Sequence, residues 1–301
     1  MNSLDLINHI CISLTWDCNL KCKFCSIWKK RTHEFLDPDE FVKQALASGL
    51  RYPTFMFFGG EPTVHPKIVE LYRKLKPVFP NSAVSIVSNG FGKAAEVFEE
   101  LAKVSDHLIT CISIDGDRDK HDEHRGVKGS YDAAIHSMDV CKKLFKVSAR
   151  VSYTITPDNI EYLSHAAELV KHYGSDLSLR TATDGNYFEG EEKIKWSKRD
   201  INRLEKKLDE IYPTPLCHSR FVYAIPDFPR TGEHMDCIAP NRSLTVYPNL
   251  DTAVCHSLPP ICKLKDIKKY WYKDKRHLGC INSKCFTRTC FIDSMYSIAY
   301  V

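Results

Sequence analysis

Short apolar runs alternate six times with helix-patterned segments through the first two-thirds of the chain, and this alternation constrains the fold more than any other feature. Strands are expected at His9–Thr15, Thr54–Phe58, Ala83–Ser88, Leu108–Ile114, Val147–Thr156 and Asp176–Thr183. Between and after them, helical periodicity runs over about Pro38–Ser48, Pro66–Phe79, Lys93–Val104, Ser130–Phe145, Ile160–Tyr173 and Lys198–Ile211. Asp37 followed by Pro38 marks a helix start, and Gly49 its stop. Repeated strand–helix units imply right-handed crossovers and a mainly parallel sheet. Six units fall short of the eight of a closed barrel, so the expected fold is α/β, a partial (βα)6 TIM-like barrel. Its working surface is then the C-terminal edge of the strands, where the βα loops meet.

Beyond Pro213 the pattern changes: proline, cysteine and aromatic residues become dense, and helical periodicity returns only at Asp266–Lys275. We therefore expect a barrel over residues 1–212 and a small cysteine-rich C-terminal domain over 213–301, stapled by a metal centre because its apolar pattern is thin. Of the 13 cysteines, six lie between Cys237 and Cys290. An odd number cannot pair completely into disulfides, and the N-terminal residues lack the basic start of an export signal. These features point to thiolates working in a reducing compartment, the cytoplasm. With 43% hydrophobic and 27% charged residues, the chain has the composition of a globular domain, not a disordered one. No apolar stretch is long enough to span a membrane, and a net charge of +4 implies neither nucleic acid nor a membrane as partner.

The chemistry-bearing loop follows the first strand directly: Trp16-Asp17-Cys18-Asn19-Leu20-Lys21-Cys22-Lys23-Phe24-Cys25. Three thiolates in a C-x3-C-x2-C spacing can ligate three irons of a [4Fe–4S] cube, leaving the fourth iron open for chemistry. A zinc site is the alternative, although zinc sites usually pair C-x2-C with a second such pair, and none is nearby. Further along come Gly59-Gly60-Glu61-Pro62 after strand two, Ser88-Asn89-Gly90 after strand three and Ser113-Ile114-Asp115-Gly116 after strand four, followed by His121-Asp122-Glu123-His124-Arg125-Gly126.

In this order the segments resemble the radical S-adenosylmethionine (SAM) superfamily over about residues 8–183. The resemblance implies that Cys18, Cys22 and Cys25 hold a [4Fe–4S] cluster whose unique iron binds SAM. Reductive cleavage of SAM then gives a 5′-deoxyadenosyl radical that takes hydrogen from a substrate. It further implies that Gly59, Gly60 and Glu61 meet the SAM amino group, with Glu61 accepting from the ammonium. Phe24 packs on adenine or simply fills core. Ser88 and Asn89 serve the ribose or form an ordinary turn. Ser113 and Asp115 face the same mouth, Asp115 orienting ribose or substrate or capping its loop. Arg125 is a carboxylate partner or a surface ion pair, and one of Arg150 and Arg180 binds an anionic group. The charge run around His121 and His124 is expected to be a solvated loop.

The tail resembles the SPASM and twitch auxiliary-cluster domains. Cys237 and Cys255 bracket an expected hairpin, and Cys280, Cys285 and Cys290 follow; the resemblance implies one auxiliary [4Fe–4S] cluster drawn from these five. Cys262 stands in reserve, and structural zinc is the alternative. The C-x4-C-x4-C spacing of the last trio departs from the closely spaced C-x2-C of that family. Cys11, Cys111 and Cys141 are expected as inert core thiols, while Cys217-His218 has no assigned role. A reductant such as flavodoxin or ferredoxin is implied, with the basic Lys263–Arg276 as its docking segment or merely a solvated helix face. The substrate is a small molecule or a peptide, and the reaction an oxidation or cross-link. With only 17 residues ahead of Cys18, the reading leans to a small molecule or a separately presented peptide. The rival reading is a non-catalytic zinc or iron–sulfur binding module.

Overall fold

Six strands form in the order anticipated: β1 (His9–Ser13), β2 (Thr54–Phe58), β3 (Val84–Ser88), β4 (Leu108–Ser113), β5 (Arg150–Ile155) and β6 (Leu177–Thr181). They belong to a computed structural model that describes residues 7–30, 32–51, 53–182, 194–211, 243–255 and 259–271. All five pairings among these strands are parallel and join neighbours in sequence. That is the arrangement of a partial barrel.

The crossover helices are α1 (Pro38–Ala47), α2 (Ile68–Val78), α3 (Ala94–Ala102), α4 (Arg118–Arg125), α5 (Ser130–Leu144) and α6 (Leu163–Tyr173), with α7 (Lys198–Ile211) after β6. Capping explains where α1 starts: Asp37 accepts from the Glu40 backbone N–H at 2.9 Å, and Pro38 occupies the first turn. Because side chains alternate along a strand, Ile10, Ile12, Phe55, Phe57, Ile86, Ile112, Val151, Tyr153 and Ile155 join the helices in one continuous core. The opposite set includes Cys11, Met56 and Phe58, which cluster separately with Val87. Cys11, Cys111 and Cys141 are all buried.

Two features depart from expectation. The charge run 117–125 is not a solvated loop but helix α4. Its Asp117 cap accepts from the Lys120 N–H at 3.0 Å, and Gly126 ends it in the left-handed region at φ 71°. His121, His124 and Arg125 are buried on one face of this helix. Their i, i+3, i+4 spacing is a helix face, but it carries polar groups, so an apolar count passes over it.

The second departure lies in the tail. The expected hairpin forms as β7 (Ser243–Val246) and β8 (Asp251–Ala253), followed by β9 (Cys262–Lys263) and the short α8 (Ile267–Trp271). Strand β7 pairs in parallel with β1, from His9↔Ser243 to Ile12↔Val246, and the sheet runs β6-β5-β4-β3-β2-β1-β7-β8-β9. Leu264 and Ile267 enter the same core as the barrel helices, and the Lys265 N–H donates to Gln44 Oε1 on α1 at 3.3 Å. Cys237, Cys280, Cys285, Cys290 and Cys217 lie outside the described residues. Among those described, no helix is long and apolar enough to cross a membrane.

Candidate active site

Strand ends and the cysteine loop enclose one cleft at the C-terminal edge of the sheet. Cys18, Cys22, Phe24, Cys25 and Ile27 form one wall, and Phe58, Gly59, Gly60 and Glu61 continue it from β2. Val87, Ser88, Asn89, Ser113, Arg125, Thr154, Arg180, Thr181 and Ala182 complete the lining. Of the barrel residues expected to hold the cluster or SAM, Asp115 is absent from this lining, and of Arg150 and Arg180 the lining includes Arg180.

The glycines serve the protein's own backbone. Gly60 donates to the Thr15 carbonyl and Glu61 to the Asp17 carbonyl, both at 2.8 Å, tying the end of β2 to the start of the cysteine loop. A Cβ on Gly60 would collide with the Asp17 carbonyl, and one on Gly59 (φ 138°) would sit 2.5 Å from the Thr15 carbonyl. Glu61 is also occupied. One carboxylate oxygen accepts from the Thr63 N–H (3.0 Å), the Thr63 hydroxyl (2.7 Å) and the Ser88 hydroxyl (2.7 Å). The other accepts from the Asn89 N–H at 2.7 Å. Burial raises its pKa, and these bonds oppose the rise. Its first role is therefore to lock the ends of β2 and β3 together, and only the second oxygen has capacity for a further donor. The Asn89 side chain donates to Asn19 Oδ1 at 2.8 Å, fixing the loop beside Cys18.

Asp115 does not reach the cleft. It is fully buried, accepting from the Thr154 N–H at 2.8 Å and pairing with Arg125 Nε at 2.7 Å and His124 Nδ1 at 3.2 Å. Burial pushes its pKa up, but Arg125 and His124 together outweigh that and hold the carboxyl well below the usual carboxylate range. The expectation that it orients ribose or substrate is replaced by a supporting role behind Arg125. Arg125 in turn is not a surface pair: it is buried, lies over the Phe24 ring at 5.3 Å, and donates from Nη1 to Cys22 Sγ at 3.8 Å. The ring of His124 meets Phe24 at 4.8 Å. Of the two strand arginines, Arg180 lines the cleft and donates to Ser152 Oγ at 2.5 Å, whereas Arg150 pairs with Asp176 at 3.3 Å. Thr154 and Thr181 are not among the expected site residues, and His124 was expected in a solvated loop. Thr154 shares the register row of Arg180, which was the signal for it, whereas Thr181 pairs with the core residue Ile155 and reaches the lining only at the end of β6.

Helix α4 also builds the cysteine loop. The Lys21 and Lys23 N–H groups donate to the Arg125 and His124 carbonyls, each at 3.1 Å. Gly126 then passes so close to the Lys21 carbonyl that no Cβ would fit. Burial raises the thiol pKa of all three cysteines, that of Cys25 to about 12. Thiolates are therefore stable here only with a cationic partner. Among the described residues, no three His, Cys, Asp or Glu side chains converge on one ion position. A [4Fe–4S] cube takes each cysteine on a different iron, and Cys18, Cys22 and Cys25 are three thiol donors lining one cleft. The donor set fits the cluster. In the tail, Cys255 is buried just after β8, and Cys262 opens β9 with its thiol pushed up to about 11 by burial and then by Asp266 and Asp251.

This fold and site define the chain's class: it belongs to the radical SAM superfamily, whose description matches residues 12–170. The cofactors of that family are a [4Fe–4S] cluster and SAM. The chain is similar to the mycofactocin maturase MftC of Mycolicibacterium smegmatis, 32% identical over 178 residues, covering 56% of this chain and 44% of that protein. It is also similar to the sporulation killing factor maturation protein SkfB of Bacillus subtilis, 29% identical over 187 residues, 58% of this chain and 44% of that one. These matches thus span less than half of the length of either relative. In fold it resembles Streptococcus suis SuiB, with a TM-score of 0.71 at 16% identity over 93% of this chain and 69% of SuiB.

Proposed function

We propose that this chain is a radical SAM maturase that abstracts hydrogen from a peptide substrate and completes an oxidation or cross-link with the help of an auxiliary cluster. The observation that carries the reading is the single cleft in which Cys18, Cys22 and Cys25 share walls with Gly59–Glu61, Ser113 and Arg125. Bound there, a [4Fe–4S] cluster and SAM supply one-electron cleavage of the sulfonium and the 5′-deoxyadenosyl radical. The chain's own side chains do the rest. Phe24, Ile27, Phe58 and Val87 give the cleft an apolar wall that excludes water and stray hydrogen donors. Arg125 offers an edge of its guanidinium to the SAM carboxylate, beside the Ser113 hydroxyl. Thr154, Arg180 and Thr181 at the far strand ends hold polar groups of the substrate.

The peptide assignment is supported by the maturases MftC and SkfB and by the fold shared with SuiB, which has been seen bound to its precursor peptide SuiA. A small molecule is the competing outcome. We assign residues 213–301 to an auxiliary-cluster domain with Cys255 as one ligand, and the enzyme to the reducing cytoplasm. An acidic one-electron donor of the flavodoxin or ferredoxin kind fits the exposed Lys21, Lys23, Lys29, Lys30 and Lys128 around the cysteine loop.

The test is anaerobic. Protein reconstituted with iron and sulfide is given SAM and dithionite, and 5′-deoxyadenosine is quantified beside a Cys22→Ala variant. The expected result is product from wild type and at least a hundredfold less from the variant. Zinc in place of iron, with no product from either protein, would establish the binding-module reading instead.

A further inference from the structure

Arg125 touches more than a SAM carboxylate would require. Its Nη1 donates to Cys22 Sγ at 3.8 Å, and its Nε pairs with Asp115 at 2.7 Å. The Phe24 ring lies beneath the guanidinium at 5.3 Å. Asp115 is itself fixed by the Thr154 N–H and by His124, whose Nε2 lies 2.9 Å from Thr156 Oγ1. The carbonyls of His124 and Arg125 hold the loop backbone on either side of Cys22. One helix end therefore sets both the position of Cys22 and the position of a buried cation against its sulfur. The neighbouring contact, Asn89 Nδ2 to Cys18 Sγ at 4.0 Å, comes from a neutral group bonded at 2.8 Å to Asn19.

We infer that Arg125 sets the reduction potential of the cluster held by Cys18, Cys22 and Cys25, by donating a charged N–H to the Cys22 sulfur from a position fixed by Asp115. The inference rests on the proposal that these cysteines hold a [4Fe–4S] cluster. Reduction adds one negative charge to the iron–sulfur core, and that charge is shared by the thiolate sulfurs. A cation with an N–H directed at one of them stabilises the reduced form more than the oxidised form, so it raises the potential. Burial keeps solvent and salt from screening the effect. Asp115 offsets part of the charge while holding the fork in place, so the pair acts as a fixed dipole with its positive end toward Cys22.

The test is a redox titration of the reconstituted full-length chain without SAM, followed by electron paramagnetic resonance. The signal is assigned by its loss from a Cys18→Ala/Cys22→Ala/Cys25→Ala variant. For Arg125→Gln we expect the reduction equilibrium to fall about tenfold, a midpoint about 59 mV lower for one electron. Arg125→Lys should recover at least half of that shift. Because SAM is absent, a residue that only bound the SAM carboxylate would leave the midpoint unmoved and change only the SAM affinity. A midpoint that is raised, or unchanged within threefold, at wild-type iron content overturns the inference.

Arg125→Gln leaves Asp115 buried without its cation, so the Asp115→Asn/Arg125→Gln double variant keeps a neutral hydrogen-bonded pair in the same space. Its midpoint should also fall, by at least threefold in equilibrium. Loss of iron from both variants would mean that Arg125 builds the site and does not tune it, which overturns the inference. A wild-type chain that retains no iron would instead fail the proposed function on which it rests.

Discussion

Five groups converge on Asp115: the Arg125 fork, the His124 ring, the Thr154 N–H, the Asn159 amide on its carbonyl at 3.1 Å and, through its own backbone N–H, the Nδ1 of His121 at 3.1 Å. That last bond fixes a tautomer, because Nδ1 must accept and the proton must sit on Nε2. His121 is buried, and burial, then Arg125, push its pKa down to about 4. An unfolded histidine titrates near pH ~6.5, so the unfolded chain binds the proton first, and stability falls as pH drops from about 6.5 toward 4. A single group of this kind removes about 2 kcal/mol by pH 5. His9, lowered to about 4 by burial, adds to the same slope. The depressed Asp115 acts later, its contribution being lost only below about pH 4. Urea midpoints at pH 7.5 and pH 5.0 should show this loss, and His121→Asn, whose amide oxygen can replace Nδ1, should flatten it by about half. Equal slopes for the two proteins would mean that His121 is not held neutral. At this scale the cysteines and the Gly59–Glu61 segment were legible, because spacing and strand-end position mark them. Asp115 was misplaced because a sequence shows that a carboxylate lies near the mouth, but not that the Arg125 guanidinium stands between it and the cleft.

Helix α4 was hidden for a related reason. The periodicity that reveals amphipathic helices counts apolar residues, and the buried face of α4 is His121, His124 and Arg125. The two glycines that follow it separate two effects that are usually confounded. Both have positive φ, 71° at Gly126 and 85° at Gly129, so alanine at either pays a backbone cost of about 1–2 kcal/mol. Around Gly129 there is open space, whereas a Cβ on Gly126 would strike the Lys21 carbonyl of the cysteine loop. Gly129→Ala should therefore lower the urea midpoint by the backbone cost alone and keep its iron. Gly126→Ala should lose more stability and at least half of its iron after desalting, because the loop must move away from α4. Equal iron retention in the two variants would refute the docking of α4 on the cysteine loop. The strands were far more legible than this helix: their apolar runs of five or six residues lie between turn signals, and the ends of β1–β6 all matched to within three residues.

Across the whole molecule, the choice of partner for β7 was the part no local pattern could carry. The alternation in Ser243–Val246 marks a strand, but a parallel pairing with His9–Ile12, from the other end of the chain, leaves no trace in either segment. The pairing changes what the boundary at 212/213 means. Leu244, Val246, Leu264 and Ile267 are buried in the barrel's own core, and the Trp16 and Tyr247 rings stack at 5.6 Å just past the ends of β1 and β7. Fully burying an aliphatic side chain contributes about 1.5–3 kcal/mol, so these four together are of the order of a domain's whole stability. A chain ended at residue 212 would also expose the edge of β1, a parallel strand with apolar Ile10 and Ile12, as a template for other chains. We therefore expect the 1–212 fragment to elute as oligomers or aggregates and to unfold at a much lower urea concentration than the full chain. A monomeric fragment with the midpoint of the full protein would mean that the tail is an independent domain resting against the barrel. The expected outcome makes the tail part of the barrel's stability, and it gives any cluster ligated by Cys255 a rigid path through β7 and β1 to the loop that carries Cys18.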